Sequence, residues 1–219
     1  SYVLDGATAD EIAIVVAERV FVVPAASVTA TPLSVLDPTM PLAHLSLATV
    51  TVTADRVIGD AGAIAAARDE AVVALALSTV ATCRAIFEAT LDYAKERHQF
   101  GKPIGSFQAL KHRFANMYLE VEKAAAVGYY AALTIAENDS RRAAAASMAK
   151  AAAGECQRLV ARDGLQIHGG IGFTWEHDLH FWLKRAKAGD ALLGNAVFHR
   201  ARLAQLMGLS SASAGGRAS

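Results

Sequence analysis

The feature that most constrains the fold is a set of long helical patterns that fills the second part of the chain. From about residue 61 the apolar residues recur with a period of 3.6, which is typical of helices packed on one face. The pattern predicts long helices at residues 64–97, 107–137 and 141–167, a short one near 178–187 and a last one at 191–207. Helices near 30 residues exceed the usual globular length, and the short breaks between them favour an antiparallel bundle.

The first 58 residues have a different composition. They hold short, β-branched or alternating runs (EIAIVVAE, VFVVPA, SVTATPL and HLSLATVTVTADRVIG) separated by proline and Asp-Gly turn signals. We therefore expect four or five antiparallel strands at residues 1–59, followed by a helical bundle at 60–208. Residues 209–219 have the composition of a disordered terminus. The predicted fold class is mainly α with a β part, and the β part is expected to be incomplete because the chain begins inside a strand-like pattern.

Composition excludes several classes of partner. The chain has 21 basic and 21 acidic residues, so no charge imbalance favours nucleic acid or anionic lipid. Cys83 and Cys156 lie far apart in helical contexts, which predicts free buried thiols in a reducing compartment. No signal pattern is present, and the longest apolar run, AVVALALSTVATC, is flanked by charges. The sequence therefore predicts a cytoplasmic protein with no membrane insertion.

The first helical break, RHQFGKPIGSFQ at residues 97–108, contains residues beyond those that a turn needs. Its glycines and proline end one helix, and Ser106 is a candidate N-cap for the next. In an antiparallel turn, Arg97 and Gln108 are expected to project near one another. A guanidinium group and an amide suit a pyrophosphate or a ribityl chain. A purely structural turn is the alternative explanation.

The second break, QIHGGIGFTWE at residues 166–176, carries three glycines within four residues. Glycine permits positive φ and lets backbone amides approach a ligand closely. The alternative is a tight turn that ends one helix, followed by Thr174 as the cap of the next helix. The run by itself does not decide between a ligand site and a turn.

Metal and nucleophile sites are not expected. His177 and His180 are spaced three residues apart beside two acidic residues, but the sequence shows no second cluster of ligands to complete a metal site. There is no G-x-S-x-G motif, and neither cysteine has an obvious base. We therefore predict no metal and no covalent catalysis.

Taken together, the two breaks resemble the acyl-CoA dehydrogenase family. The resemblance rests on YAKERHQFGKPIGSFQALKHRFANM followed by LQIHGGIGFTWEHDLHFWLKRAK, and it extends over residues 61–207. It implies a C-terminal four-helix bundle preceded by part of the family's middle β domain, with the N-terminal helical domain absent. It also implies an FAD cofactor, an acyl-CoA substrate and an electron-transfer flavoprotein as a partner.

The same resemblance assigns the residues that contact FAD. In the family, the bundle of one subunit contacts the cofactor held by its neighbour. The positions that match these contacts are Arg97, Gln99, Phe100, Gln108, Gln166, His168, Gly169 and Gly170. A permanent cation suits the two phosphates, amides suit hydroxyl groups, and glycines suit a close backbone approach.

The catalytic base does not match. In the family a glutamate, usually in an E-G-T motif before the final helix, removes the α proton of the acyl-CoA. An alignment without gaps places Leu193, Gly194 and Asn195 on those three positions. Some members carry the base on the first bundle helix instead, which corresponds here to Ala71, with Glu70 one residue and about 100° of helix rotation away. Leucine cannot accept a proton, so we expect no base in this chain.

A heteromer would reconcile a preserved FAD contact with a missing base. The resemblance extends to heteromeric α2β2 dehydrogenases of actinobacteria that act on CoA thioesters of sterol side chains. A homologous subunit would then supply the glutamate, with one FAD for every two chains. Two alternatives stay open: an active homo-oligomer that uses Glu70 or a base outside this sequence, and a scaffold subunit that binds no flavin.

Overall fold

Segments of different composition form different units, and the chain divides between Arg68 and Asp69. The computed structural model describes residues 2–48 and 50–209. The predicted tail at residues 209–219 therefore lies outside the described residues, apart from its first residue. The mainly helical class with a small β part is confirmed, with α-helices following a set of short strands.

The β unit consists of two three-stranded antiparallel sheets. The strands are β1 (Tyr2–Leu4), β2 (Glu11–Val16), β3 (Arg19–Pro24), β4 (Thr29–Pro32), β5 (Leu42–Ser46) and β6 (Val57–Gly59). Their orders are β1-β5-β4 and β2-β3-β6. The alternating residues of these strands give the unit its own apolar core of Ile12, Val23, Ala43 and Leu45.

The alternating stretch at residues 44–59 contributes to two strands. Its first part belongs to β5, which ends at Ser46, and its last part forms β6, which begins at Val57. The ladder between β4 and β5 ends where Thr29 pairs with Ser46, at the first residue of β4. A strand is stabilised by its partners, so alternation alone does not extend it past the end of the neighbouring strand.

The helical unit follows the predicted pattern closely. The helices are α1 (Ala61–Glu96), α2 (Gln108–Ala136), α3 (Arg142–His168), α4 (Leu179–Ala191) and α5 (Ala196–Leu206). The last helix starts at Ala196 rather than near residue 191, because α4 continues through Ala191 and Asn195 caps α5 with its side chain. A two-residue hairpin, β7 (His98–Gln99) with β8 (Lys102–Pro103), lies between α1 and α2.

Both predicted serine and threonine caps are wrong. Ser106 donates its hydroxyl to the carbonyl of Pro103 at 2.7 Å, and α2 begins after Phe107. Thr174 donates in the same way to the carbonyl of Ile171 at 2.8 Å, four residues before the residue that precedes α4. In both cases the hydroxyl donates to the carbonyl three residues earlier in the chain. Such a local hydrogen bond competes with helix capping.

The core of the helical unit uses small and β-branched side chains. Val72 and Ile86 on α1, Met117 and Val121 on α2 and Val160 on α3 are fully buried in one cluster, with many alanines between them. Small side chains let the helix axes approach closely, which explains the alanine content.

Helix α1 is more apolar than the sequence prediction allowed. By length and composition it is able to span a membrane, with a mean hydropathy of 1.6 in its most apolar 18-residue window. The prediction of no membrane insertion rested on the charges that flank AVVALALSTVATC, whereas α1 as a whole has the length and composition of a membrane span. In this protein 44% of that window is buried. A central helix of a bundle requires the same apolar composition.

Candidate functional site

The bundle topology brings the two predicted FAD-contact breaks to the same end. Since α1 and α3 run in one direction and α2 in the other, the end of α1, the start of α2 and the end of α3 are neighbours. Tyr93 of α1 stacks on His168 of α3 with ring centroids 4.5 Å apart. Its hydroxyl donates to the carbonyl of His168 at 3.5 Å. We call this end of the bundle the break end.

The connection from α1 to α2 presents its side chains outward. The hairpin turns at Phe100 and Gly101, which have φ values of 54° and 78°. The ring of Phe100 is 90% exposed, and the Gln99 amide donates back to the carbonyl of His98 at 2.9 Å. A positive φ is unfavourable for phenylalanine, and the edge contact of its ring with Phe107, at 6.1 Å between ring centroids, still leaves the Phe100 ring exposed.

The two polar residues that frame this connection are both exposed. Arg97 directly follows α1 and Gln108 is the first residue of α2. Neither side chain forms a hydrogen bond or an ion pair with a residue that the structure describes. Both residues therefore lie at the two ends of this connection, and the guanidinium group of Arg97 is free to bind an anion.

The glycine turn after α3 leaves open space in front of its backbone. Gly169 ends the helix with a φ of 63°, a conformation that favours glycine. Gly170 has no positive φ, and a Cβ atom at either residue would meet no atom within 4 Å. Nothing within the described chain therefore requires glycine at 170, and a bound group is able to approach the main chain there.

His168 lies in the interior, unlike the other predicted contacts. Its side chain is 3% exposed, and its Nδ1 donates to the carbonyl of Gly164 at 2.9 Å. The rings of Tyr93 and His177 pack against it, and burial lowers the pKa of the imidazole. The predicted FAD contact at His168 therefore cannot come from an exposed ring.

The structure has a polar cavity beside Gln166 that the sequence analysis did not predict. It has a volume of about 480 Å³ and is lined by Gln166 and by Arg113, Asn116, Arg162 and Asp163. Asp163 is paired with Arg162 at 2.9 Å and with Arg113 at 3.7 Å. The residues that line the cavity come from α2 and α3, so only the register between the two helices brings them together. The exposed Gln166 amide thus faces a group of polar side chains.

The predicted base position lies on the turn between α4 and α5. Leu193 and Gly194 have φ values of 56° and 96°, and the Leu193 side chain is 45% exposed. The Nε2 of His199 donates to the carbonyl of Leu193 at 2.9 Å. The Asn195 side chain accepts from the Phe198 amide at 3.0 Å. The turn therefore presents an apolar side chain with a fixed backbone.

The acidic residues Asp69 and Glu70 of α1 are engaged in ion pairs. Glu70 lies 3.1 Å from the guanidinium group of Arg142. Asp69 is buried and is paired with Arg202 at 3.0 Å and with Arg142 at 4.0 Å. These contacts tie α1 at Asp69 and Glu70 to α3 and α5, a structural role that opposes the use of either carboxylate as a base.

The remaining candidate groups have structural partners. Within residues 2–48 and 50–209, no group of three or more metal-ligating side chains converges. The Nδ1 of His177 accepts from the Leu179 amide at 3.1 Å at the start of α4. Cys83 and Cys156 are free thiols buried against one another, and their hydrogen bond together with burial raises the pKa of Cys83.

The break end has the chemistry that FAD requires. An exposed guanidinium group suits a diphosphate, the exposed amides of Gln108 and Gln166 suit hydroxyl and ring heteroatoms, and an exposed Phe100 ring suits a flat heterocycle. The open glycine turn at 169 and 170 admits a ligand to the main chain. The residues at this end therefore fit a dinucleotide.

Comparisons with known proteins agree with this assignment. Residues 61–208 match the family described as acyl-CoA dehydrogenase, C-terminal domain. The acyl-CoA dehydrogenase IpdE2 of Mycobacterium tuberculosis is 39% identical over 165 residues, which cover 75% of this chain and 47% of IpdE2. The chain thus spans about half the length of this relative.

Two solved structures are also similar. The ChsE4-ChsE5 complex from Mycobacterium tuberculosis has a TM-score of 0.84 at 27% identity, covering 97% of this chain and 60% of that chain. The structure described as the Tcur3481-Tcur3483 steroid ACAD has a TM-score of 0.80 at 29% identity, covering 87% of this chain and 52% of that chain. The predicted cofactor, FAD, is supported by this kinship. The chain belongs to the acyl-CoA dehydrogenase family, and its residues 61–208 are that family's C-terminal helical domain.

Proposed function

We propose that the chain is a subunit of a heteromeric FAD-dependent acyl-CoA dehydrogenase and that it completes the FAD site of a related partner subunit. The observation that carries the proposal is Leu193, an exposed leucine on the α4–α5 turn where the family places its glutamate. Leucine accepts no proton, and loss of a general base typically slows a reaction ~10²–10⁴-fold. The partner subunit would supply the carboxylate that removes the α proton.

The contribution of this chain is to bind and orient the cofactor. Arg97 would pair with the diphosphate, and the amides of Gln108 and Gln166 would bind polar groups along the molecule. The main chain at Gly169 and Gly170 would approach it closely. When bound, FAD supplies the acceptor for the hydride that leaves the β carbon of the acyl-CoA. No residue of this chain takes part in proton transfer.

The comparisons support two different subunits and a bulky substrate. One similar structure is described as a complex of ChsE4 with ChsE5, and another as a steroid ACAD. We therefore propose a CoA thioester of a steroid side chain as the substrate, an electron-transfer flavoprotein as the electron acceptor, and the cytoplasm as the location. The ion pairs of Asp69 and Glu70 disfavour the alternative in which this chain carries a base on α1.

Purification from the native host with flavin quantification tests the proposal. The expected result is a stable complex with a homologue that carries the glutamate, with one FAD for every two chains. If the purified chain binds FAD and oxidises an acyl-CoA without any partner, it is an active homo-oligomer instead. A complex without any flavin would show a scaffold subunit.

Substitution of Arg97 tests the cofactor contact itself. Because a hydrogen bond to a charged group contributes about 1.5–3 kcal/mol, Arg97→Ala should weaken FAD binding to the complex roughly 10- to 100-fold. The melting temperature of the apo complex should not change, since Arg97 is exposed. Lys95→Ala is the matched control, because Lys95 is an exposed cation at the same helix end whose partner is Asp92. Equal FAD affinity in both variants would contradict the contact.

A further inference from the structure

Lys150 is a fully buried lysine in the middle of α3, with 1% of its surface exposed. A buried lysine is rare unless it has partners. Its Nζ donates to the carbonyl of Asp190 at 2.9 Å and to the carbonyl of Gly194 at 2.7 Å. The first carbonyl belongs to the last turn of α4, where the helix leaves its carbonyls unpaired, and the second precedes α5. One ammonium group therefore joins both sides of the α4–α5 turn.

Gly154, one helical turn after Lys150, completes the surface of α3 on which this turn rests. A Cβ atom at Gly154 would lie 2.5 Å from Oδ1 of Asp190 and 2.9 Å from the Cβ of Ala196. The turn thus lies against the backbone of α3 at Gly154 and is hydrogen-bonded at Lys150. We call these two residues the α3 seat.

The turn that the α3 seat holds is strained at the residue of interest. Leu193 has a φ of 56°, a left-handed conformation that a leucine adopts only when its surroundings impose it. His199 fixes the carbonyl of Leu193 from the side of α5, and Lys150 fixes the next carbonyl from the side of α3. Contacts on two helices therefore impose the conformation in which the side chain of residue 193 is exposed.

We propose that Lys150 is a positioning residue, whose two hydrogen bonds hold the α4–α5 turn in the left-handed conformation that presents residue 193. The chain has then kept the frame of the base position although the base is gone. That residue 193 occupies the base position rests on the proposed function, whereas the hold of Lys150 on the turn does not.

A double-mutant cycle on the full chain tests the coupling. Asparagine tolerates the left-handed region, so Leu193→Asn should raise the folding equilibrium constant about three- to tenfold in the wild-type chain. In Lys150→Met the released turn relaxes, and Leu193→Asn should change the constant less than about twofold. Urea unfolding measures the folding equilibrium constant in both backgrounds. The same gain in both backgrounds would overturn the proposal, because a lysine that only stabilises α3 gives additive effects.

Two further measurements keep the test decisive. If Lys150→Met does not fold, Gly154→Ala displaces the turn from the α3 seat without changing the charge. The gain from Leu193→Asn should be lost there as well, and its retention would overturn the proposal. In whichever of Lys150→Met and Gly154→Ala folds, the backbone amides of residues 192–199 should exchange with deuterium at least about tenfold faster than in wild type. Lys123→Met, which removes an exposed lysine paired with Glu120, is the control. Neither measurement involves flavin or a partner, so its failure would leave the proposed function untouched.

Discussion

The burial of Lys150 predicts an unusual dependence of stability on pH. Burial lowers the pKa of this ammonium group from 10.5 to about 8, an effect that the nearby Asp190 carboxylate only partly offsets. The neutral amine keeps two N–H groups, which is the number needed for the two carbonyl acceptors. Deprotonation is therefore expected to remove the cost of the buried charge without breaking the contacts of the turn.

The sign and size of the effect follow from the two pKa values. Between pH 8 and pH 10.5 the unfolded chain binds a proton at Lys150 that the folded chain does not, so stability rises with pH in this window. Below pH 8 both states are protonated and the contribution is constant. The fall from 10.5 to about 8 corresponds, at about 1.36 kcal/mol per pH unit, to roughly 3 kcal/mol of unfolding free energy.

Urea unfolding of the wild-type chain and of Lys150→Met, followed by circular dichroism across this pH range, measures the effect. The two proteins differ only at residue 150, so subtraction isolates the contribution of Lys150. The unfolding free energy of wild type relative to the variant should rise by roughly 3 kcal/mol from pH 8 to pH 10.5 and stay level below pH 8. A level difference across the whole range would refute the reasoning.

Four further substitutions separate folding from cofactor binding. Asp69→Ala should lower the unfolding free energy by about 3–5 kcal/mol in urea melts, because it leaves the guanidinium group of Arg202 without its buried partner. Asp92→Ala, at an exposed ion pair, should cost less than about 1 kcal/mol. Gly164→Ala should cost about 1–3 kcal/mol, because its Cβ would lie 2.8 Å from an α1 side chain. Gly170→Ala should leave stability unchanged but lower the FAD content of the complex, and the reverse pattern for these two glycines would contradict the site.

The helices were predictable because their signals are local. A 3.6-residue period with Gly-rich breaks placed four of the five helices within a few residues of their observed bounds. The failures occur where the sequence pattern does not show which group a residue pairs with. Within the alternating run at residues 44–59, β5 stops at Ser46, where its ladder with β4 ends. Ser106 and Thr174 satisfy local carbonyls rather than helix amides.

The candidate site was predictable only in part. The residues of the break end could be assigned by resemblance, but the burial of His168 depends on stacking with Tyr93 from another helix. The polar cavity beside Gln166 depends on the register of α2 against α3. A single lysine inside the alanine-rich run SMAKAAAGEC was a usable signal for a buried, partnered charge.

The sequence by itself determined the helical bundle, the family and the identity of residue 193 as a leucine. These depend on periodicity and on residue types at fixed spacing, which are properties of the chain and not of its packing. Only the tertiary structure decided how that leucine is held, since Lys150 lies more than 40 positions from the Gly194 carbonyl it binds. A contact of such sequence separation arises only when α3 and the α4–α5 turn pack together, and no local pattern encodes it.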